Sequence, residues 1–591
     1  MRTIFARENL LCLTWGAGQD GWKGCEDRMG VYLNSSSAYG LFRREYASRY
    51  YVDKSGILAD LVQRVELDLD DIEEQELGQG IEPKYVAITR PRRFGKTVTA
   101  NMITAYFGKG IDSGKIFDRL NISKYDWYRK HLNRHNVIHI MFNELPLGCG
   151  SYNVYISKFV KGLLTDLRKA YPDAEIEKDD DVWDALKKVY EYCGNEKFIF
   201  VLDEWDFIYH QDFATDKDKT NFTQFLSSLL KDKAYVEMTY MTGILPIAKH
   251  QNDVLYSSGS EINMFCEYTM ATEEKYSEYF GFTEREVDDL YGRYLRQDIA
   301  ERKVTREDLR RWYDGYHTKS GERVYNPRSV VLALENNNLG NYWTSSGPYD
   351  ELFYYIGANV DSVKEDVGLL LSDIPVPADV QEYAATSMEL KTRDEIFSAM
   401  VVYGFLNYEH GCVSIPNKEL MDQFAAMARK EESLGNVYRL TKESGRMLAA
   451  TRAGDTETMA EILQFVHNTE SPLLVYNNEA ELASIIKLVY LQARDHYRIE
   501  REDRAGAGYV DFIFYPVRKD HDAIIIELKV NQTADEAIQQ IKDRQYALKF
   551  EGKIGEKPEY TGRILAVGIA YHKNDENKRH ECKVEVLRER L

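Results

Sequence analysis

The sequence predicts an α/β protein with a mostly parallel sheet in front, a helical middle and a mixed domain at the end. Three observations carry this. Short apolar runs alternate with helical segments between residues 85 and 241, as successive βαβ units of a doubly wound sheet require. From about 283 to 463 the periodicity is mostly helical, and after 475 it changes again, to the order αβββαβ. A chain of 591 residues is also long enough for about three or four domains, each burying its own core.

Taken in order, residues 1–40 are rich in Gly, Ser and Asn without sustained periodicity and are expected to form an extension or loosely packed cap. An aromatic-rich helix and Tyr51-Val52-Asp53-Lys54 follow, then an acidic stretch, 66–76, expected as solvated surface because it lacks calcium-binding turn chemistry. Strands are predicted at 85–89, 137–142, 198–202 and 235–241, with helices at 97–107, 154–170 and 221–230. A lid and connector follows, with helices at 284–296, 307–312 and 456–466, punctuated by Asn326-Pro327 and Ile374-Pro375-Val376-Pro377. The last domain reads as a helix at 479–494, strands at 497–500, 509–515 and 523–530, a helix at 534–548 and a strand at 563–570. The predicted divisions are 1–40, 41–282, 283–465 and 466–591, with a linker near Ser471-Pro472.

The chain has 76 basic and 96 acidic side chains, a net charge of −20, which argues against a nonspecific nucleic-acid coat. Residues 471–591 are nearly neutral, with 20 basic and 21 acidic groups, and leave room for a local basic groove. Seven cysteines with no C-x-x-C spacing signal neither a disulfide framework nor a zinc knuckle, and fit a reducing cytosol. The N-terminal apolar stretch at 10–13 is too short for a signal-peptide core, and no window approaches the ~20 apolar residues that span a bilayer. The expectation is a cytoplasmic protein with no membrane partner.

Backbone amides at a helix start attract phosphate oxygens, a lysine reaches terminal phosphates, and a following hydroxyl ligates magnesium. Arg90-Pro91-Arg92-Arg93-Phe94-Gly95-Lys96-Thr97 offers those parts between a strand and a helix, with arginine where the phosphate-loop pattern expects its first glycine. Alone, this could be an ordinary basic turn. The apolar run Phe198-Ile199-Phe200-Val201-Leu202 ends directly on Asp203-Glu204, presenting one carboxylate to magnesium and a second to an attacking water. Thr242, after the run ending at Met241, is either a sensor of the terminal phosphate or a simple strand-end threonine.

At these residues the chain resembles the bacterial AAA-ATPase-like family, related to archaeal-type ATPases whose phosphate loop also reads Pro-Arg-Arg before Gly-Lys-Thr. The resemblance covers about 45–345. It includes Tyr51 to Lys54, the loop from Arg90 to Thr97, Leu202-Asp203-Glu204-Trp205-Asp206, Thr242-Gly243-Ile244-Leu245-Pro246, Tyr279-Phe280-Gly281-Phe282-Thr283 and Trp312-Tyr313-Asp314-Gly315-Tyr316. It implies ATP and Mg²⁺ held by Arg92, Arg93, Phe94, Gly95, Lys96, Thr97, Asp203 and Thr242, with Glu204 as base. Arginine at the first loop position is typical of this family. Pro246 stands where some members carry an arginine, leaving Arg92, Arg93 and Arg328 as possible phosphate contacts or ordinary surface arginines.

Phosphodiester cleavage needs a divalent ion, and hard cations take oxygen ligands. Asp511 lies among apolar neighbours on a strand, where an unpaired carboxylate is costly. Glu527 and Lys529, two residues apart on the next strand, share a face of the sheet. Asp511 and Glu527 can share a metal while Lys529 orients or deprotonates the attacking water; a buried Glu-Lys ion pair is the bland alternative.

These residues look like the PD-(D/E)XK nuclease superfamily, over roughly 466–591. Matching stretches are Tyr476-Asn477-Asn478-Glu479, the segment from Gly506 to Phe512, Ile526-Glu527-Leu528-Lys529 and Ala537-Ile538-Gln539-Gln540-Ile541-Lys542, with His580-Glu581-Cys582 near the end. The resemblance implies Mg²⁺, or Mn²⁺, at Asp511 and Glu527, with Glu479 and the Leu528 carbonyl as further ligands and Gln540 contacting water or phosphate. His580 and Cys582 are too few to make a zinc site. The whole is expected to be an ATPase whose nucleotide state controls cleavage of nucleic acid, DNA before RNA, with assembly into a homo-oligomer left open. The alternatives are a nucleotide switch or scaffold whose last domain binds nucleic acid without cutting, and, ranking last, a transferase or kinase.

Overall fold

A computed structural model describes residues 30–66, 83–247, 262–270, 273–343, 360–380, 392–467, 478–505, 508–550, 559–575 and 579–591. The acidic stretch beyond Glu66, the Ser471-Pro472 linker and the Gly506-Ala507 turn lie outside these residues. The chain divides into two units, one within 1–88, 96–243 and 250–267, the other within 89–95, 244–249 and 268–591.

The first unit opens with α1 (Ser36–Tyr46) and α2 (Ile57–Glu66), then β1 (Tyr85–Thr89), α3 (Lys96–Phe107), β2 (Asn136–Met141), α4 (Tyr152–Ala170), α5 (Val182–Tyr192), β3 (Phe198–Asp203), α6 (Asp216–Leu230), β4 (Val236–Gly243) and β5 (Cys266–Tyr268). The sheet order is β2-β3-β4-β1-β5, and the β2–β3 and β3–β4 ladders are parallel. β1 and β3 are buried at every position, which is why both read as unbroken apolar runs rather than alternating ones. α6 starts five residues before the predicted 221 because Thr215 and Asp218 form a capping box there. Residues 30–34, expected within a loose cap, instead lie along the edge of β2: Leu33 is fully buried, and Asn34 N–H donates to the Val137 carbonyl at 2.7 Å. The Asp166 carboxylate accepts the Tyr32 and Leu33 amides and fixes this segment.

The second unit begins with β6 (Phe282–Thr283), α7 (Glu284–Leu295), α8 (Arg306–Tyr313), β7 (Tyr316–His317), β8 (Arg323–Tyr325), α9 (Pro327–Glu335), α10 (Val360–Leu371) and β9 (Val376–Pro377). It continues through α11 (Arg393–Tyr403), β10 (Asn407–Glu409), β11 (Cys412–Ser414), α12 (Lys418–Ala428), α13 (Asn436–Ala453) and α14 (Thr456–His467). The helical reading thus needs two additions, small sheets ordered β6-β8-β7 and β10-β11-β9. Their strands run two or three residues, too short for any period to show. Among the described residues no helix is long and apolar enough to cross a membrane.

The last part comprises α15 (Glu479–Val489), β12 (Tyr497–Ala505), β13 (Gly508–Pro516), β14 (Ala523–Val530), α16 (Ala534–Asp543), β15 (Ile564–Tyr571) and β16 (His580–Arg588), with sheet order β12-β13-β14-β15-β16. The order αβββαβ holds through Tyr571, and β16 then adds an antiparallel strand beside β15. β14 and β15 pair in parallel, as the crossover through α16 requires. Glu527 stands opposite Gly568 in that ladder. A Cβ on Gly568 would clash with the Ala534 carbonyl oxygen, so α16 can approach the sheet only where the side chain is missing. Gly568→Ala is expected to lower the melting temperature by pushing α16 outward, at a cost of about 1–3 kcal/mol, measurable by thermal unfolding.

Candidate active sites

In the first unit, the carboxyl ends of the strands gather one cation and two carboxylates. β3 ends on Asp203, fully buried, and Glu204 follows in a left-handed conformation with φ 54°. β4 lies beside β3, so its Thr242 reaches across and donates its hydroxyl to Asp203 Oδ1. Thr242, expected either as a phosphate sensor or as a strand-end threonine, thus orients the Asp203 carboxylate. Asp203 Oδ2 is buried with no hydrogen-bond partner among the described residues. An orphaned anionic oxygen on a buried carboxylate fits a hard dication; Thr97 is the second residue of α3. Burial first, and Asp203 second, push the Glu204 carboxyl above its ordinary range, against the opposing pull of Lys96 and a hydrogen bond with Asn143. Lys96, the first residue of α3, is itself buried.

The preceding loop is held in place by two of its side chains, Arg90 and Phe94. Arg90, 1% exposed, donates Nη1 to the Thr89 and Tyr268 carbonyls at 2.8 Å each, and its guanidinium lies 5.1 Å from the centre of the Phe280 ring. The arginine at the position of the first loop glycine is thus a buried strut. The Phe94 ring is packed edge-on against Tyr316 at 5.1 Å. Arg93 and Gly95 both have positive φ, 70° and 93°, flanking Phe94. Arg92 is half-buried, while Arg93 and Arg328 are exposed.

In the second unit, the β13–β14 ladder closes at Phe512 opposite Ile526, and the next opposed positions are Asp511 and Glu527. There the Asp511 carboxylate replaces a backbone acceptor, taking the Leu528 amide at 2.8 Å. Lys529 Nζ lies 3.3 Å from Glu527 Oε1 and 3.0 Å from the Leu528 carbonyl oxygen. Gln540 on α16 donates to the same Glu527 Oε1. Its contact is therefore with the glutamate. Glu527 Oε2 is buried without a partner among the described residues. Glu479, half-exposed at the start of α15, places Oε1 4.0 Å from Lys529 Nζ. Among the described residues no three His, Cys, Asp or Glu side chains cluster as a metal site; the oxygens here are two carboxylates and one backbone carbonyl.

Residues 78–252 match the family model described as predicted AAA-ATPase, and residues 477–581 match the PD-(D/E)XK nuclease superfamily. The chain joins an AAA-ATPase-like domain to a PD-(D/E)XK nuclease-superfamily domain. It is 24% identical over 314 residues to an uncharacterized protein in the vnfD 5′ region of Azotobacter chroococcum mcd 1, covering 51% of this chain and 52% of that protein. The chain thus spans about half the length of the curated relative it matches. A Walker-type ATPase of Pyrococcus abyssi aligns at 11% identity over 61% of this chain and 99% of its own, with TM-score 0.32. The ORC2 protein of Aeropyrum pernix, solved in ADPNP-ADP complexes, aligns at 10% identity over 62% and 93%, with TM-score 0.29.

Several groups at the two sites are not evident in the sequence. Asn143 bonds Glu204 in the AAA-ATPase-like domain, and His139 of β2 lies close enough to feel Asp203, with its pKa lowered by burial. In the nuclease-superfamily domain, Tyr546 bonds Gln540 and donates to the Tyr509 carbonyl at 2.6 Å. Asn143 comes from a loop, His139 from a strand interior and Tyr546 from the start of a short 3-10 helix, each without a motif around it. His580, weighed as a zinc ligand, stacks on Tyr571 and bonds Gln464.

Burial, and then Asp511, push the Glu527 carboxyl up to about 7, while Asp511 is itself raised by burial. A carboxyl whose folded pKa exceeds its unfolded value favours the folded state below the unfolded pKa, and that contribution is lost as pH rises through the folded pKa. In EDTA the nuclease-superfamily domain should therefore lose stability between about pH 4.5 and 7, by at most about 3 kcal/mol. Glu527→Gln removes this term, so the melting temperature of the variant minus that of the parent should increase with pH across the same window.

Proposed function

We propose that the AAA-ATPase-like domain binds and hydrolyses ATP with Mg²⁺, and that the nuclease-superfamily domain cuts nucleic acid, DNA in the first instance, under control of the nucleotide state. The observation that carries the cutting activity is the convergence of Asp511, Glu527 and Lys529 with Glu527 Oε2 left unpartnered. Asp511, Glu527 and the Leu528 carbonyl would hold Mg²⁺ or Mn²⁺, with Glu479 near enough to assist. Such an ion supplies positive charge at the scissile phosphate and lowers the pKa of a bound water. Lys529 contributes a compact cation beside the same oxygens, suited to orient that water and to offset charge developing on the phosphate. Gln540 fixes the Glu527 rotamer from above the sheet.

In the front domain, Thr97 and Asp203 would hold Mg²⁺, Lys96 and the amides of Arg92 to Gly95 would hold phosphates, and Glu204 would accept a proton from water. Its raised pKa suits that task, because a base is most effective near the working pH. The test is cleavage of plasmid, single-stranded DNA and RNA with Mg²⁺ or Mn²⁺, alone, with ATP and with a nonhydrolysable analogue. DNA cleavage that requires the dication and changes with nucleotide is the expected result. No cleavage of any substrate under any of these conditions refutes the nuclease reading; cleavage indifferent to nucleotide refutes the control.

A further inference from the structure

Within the second unit, a cavity of about 350 Å³ opens where the connector helices meet the nuclease-superfamily domain. Cations converge on it from separate elements: Arg311 on α8, Lys418 on α12, Lys487 on α15, Arg494 just after it, and Arg498 and Arg501 on β12. Among the described residues, two carboxylates line it, Asp373 and Asp422. Asp422 holds Lys418 at 2.8 Å, and Asp373 is shared between Lys487 at 3.1 Å and Arg494 at 3.0 Å. Arg498 pairs with Glu500 at 3.0 Å. Arg311 is half-buried and has no hydrogen bond or ion pair among the described residues, and Arg494 Nε is buried without an acceptor.

Cations withdrawn from water are costly unless an anion faces them. Burial lowers the pKa of Arg311, Lys418 and Lys487; Asp308, Asp422 and Asp373 respectively oppose it in part, and neighbouring cations add to it. With six cations against two carboxylates in the lining, the positive charge exceeds what the cavity's own carboxylates offset. Guanidinium forks match phosphate oxygens in pairs, and the volume admits more than a single carboxylate. The inner wall includes Phe512, the chain neighbour of Asp511.

We propose that this cavity is a phosphate-binding site in which connector and nuclease-superfamily domain grip one ligand, the phosphates of a nucleic-acid strand or of a free nucleotide. Binding there does not require the C-terminal site to cut. The test uses the full chain carrying Lys96→Ala and Asp511→Ala, in EDTA, so that neither candidate active site can turn over. Labelled single-stranded DNA, duplex DNA and ATP are titrated separately by fluorescence anisotropy. Arg311→Gln is expected to weaken at least one probe by about tenfold and to flatten its salt dependence. Weakening of the strands identifies nucleic acid as the source, and weakening of ATP alone identifies the nucleotide. Arg501→Gln, at an exposed position, provides the second reading should Arg311→Gln fail to fold. Unaltered binding of every probe in the folded variants, or no binding by the parent, overturns the proposal. Because no cutting is read, a failed cleavage assay and a failed cavity remain separable.

Discussion

Lys529→Ala is expected to reduce dication-dependent cleavage by roughly 10²–10⁴-fold without unfolding the domain. The argument is local. Lys529 Nζ touches both Glu527 and the Leu528 carbonyl, two of the three oxygen donors assigned to the ion. Its charge also lowers the Glu527 pKa, opposing burial and Asp511. Removing it lets that pKa climb further above about 7, so Glu527 holds its proton more firmly at neutral pH and the site loses negative charge. Two roles can then be separated. If Lys529 only tunes Glu527, raising the pH to about 9 should restore cleavage, since Glu527 would ionise again. If Lys529 also acts on water or phosphate, the deficit should persist at that pH, and this is the expected outcome. Cleavage by Lys529→Ala at the parent rate would remove Lys529 from the site altogether.

That site was legible because its residues lie in two neighbouring strands. Asp511 is an isolated carboxylate in an apolar run, and Glu527 and Lys529 obey the period of two that puts side chains on one face. What the period could not reveal is that the ladder closes at Phe512 and Ile526, letting the Asp511 side chain take the Leu528 amide. Nor could it reveal Gly568, whose role exists only because α16 crosses directly over it. β16 is not legible in the sequence because its residues are mostly half-buried and mix charged with apolar types, as an edge strand permits. The basic cavity was harder still. Arg311 and Arg501 are 190 positions apart in sequence, and each in isolation reads as an ordinary surface charge.

The front site poses the reverse problem, since its motif is compact in sequence while its electrostatics are not. Lys96→Ala is expected to weaken ATP binding roughly 10- to 100-fold, the range for losing a charge-assisted contact to phosphate. A second consequence follows from the neighbourhood. Lys96 is the cation that holds down the Glu204 pKa, against burial and Asp203. Without it, Glu204 should stay protonated to higher pH, and the acid limb of residual ATP hydrolysis should move upward. Glu204→Gln separates the two effects: ATP should still bind, while hydrolysis falls by roughly 10²–10⁴-fold and the acid limb assigned to Glu204 disappears. Equal ATP affinity in Lys96→Ala and the parent would refute the phosphate contact. A lost affinity with an unmoved acid limb would place the base elsewhere than Glu204, because a carboxyl coupled to Lys96 cannot ignore its removal.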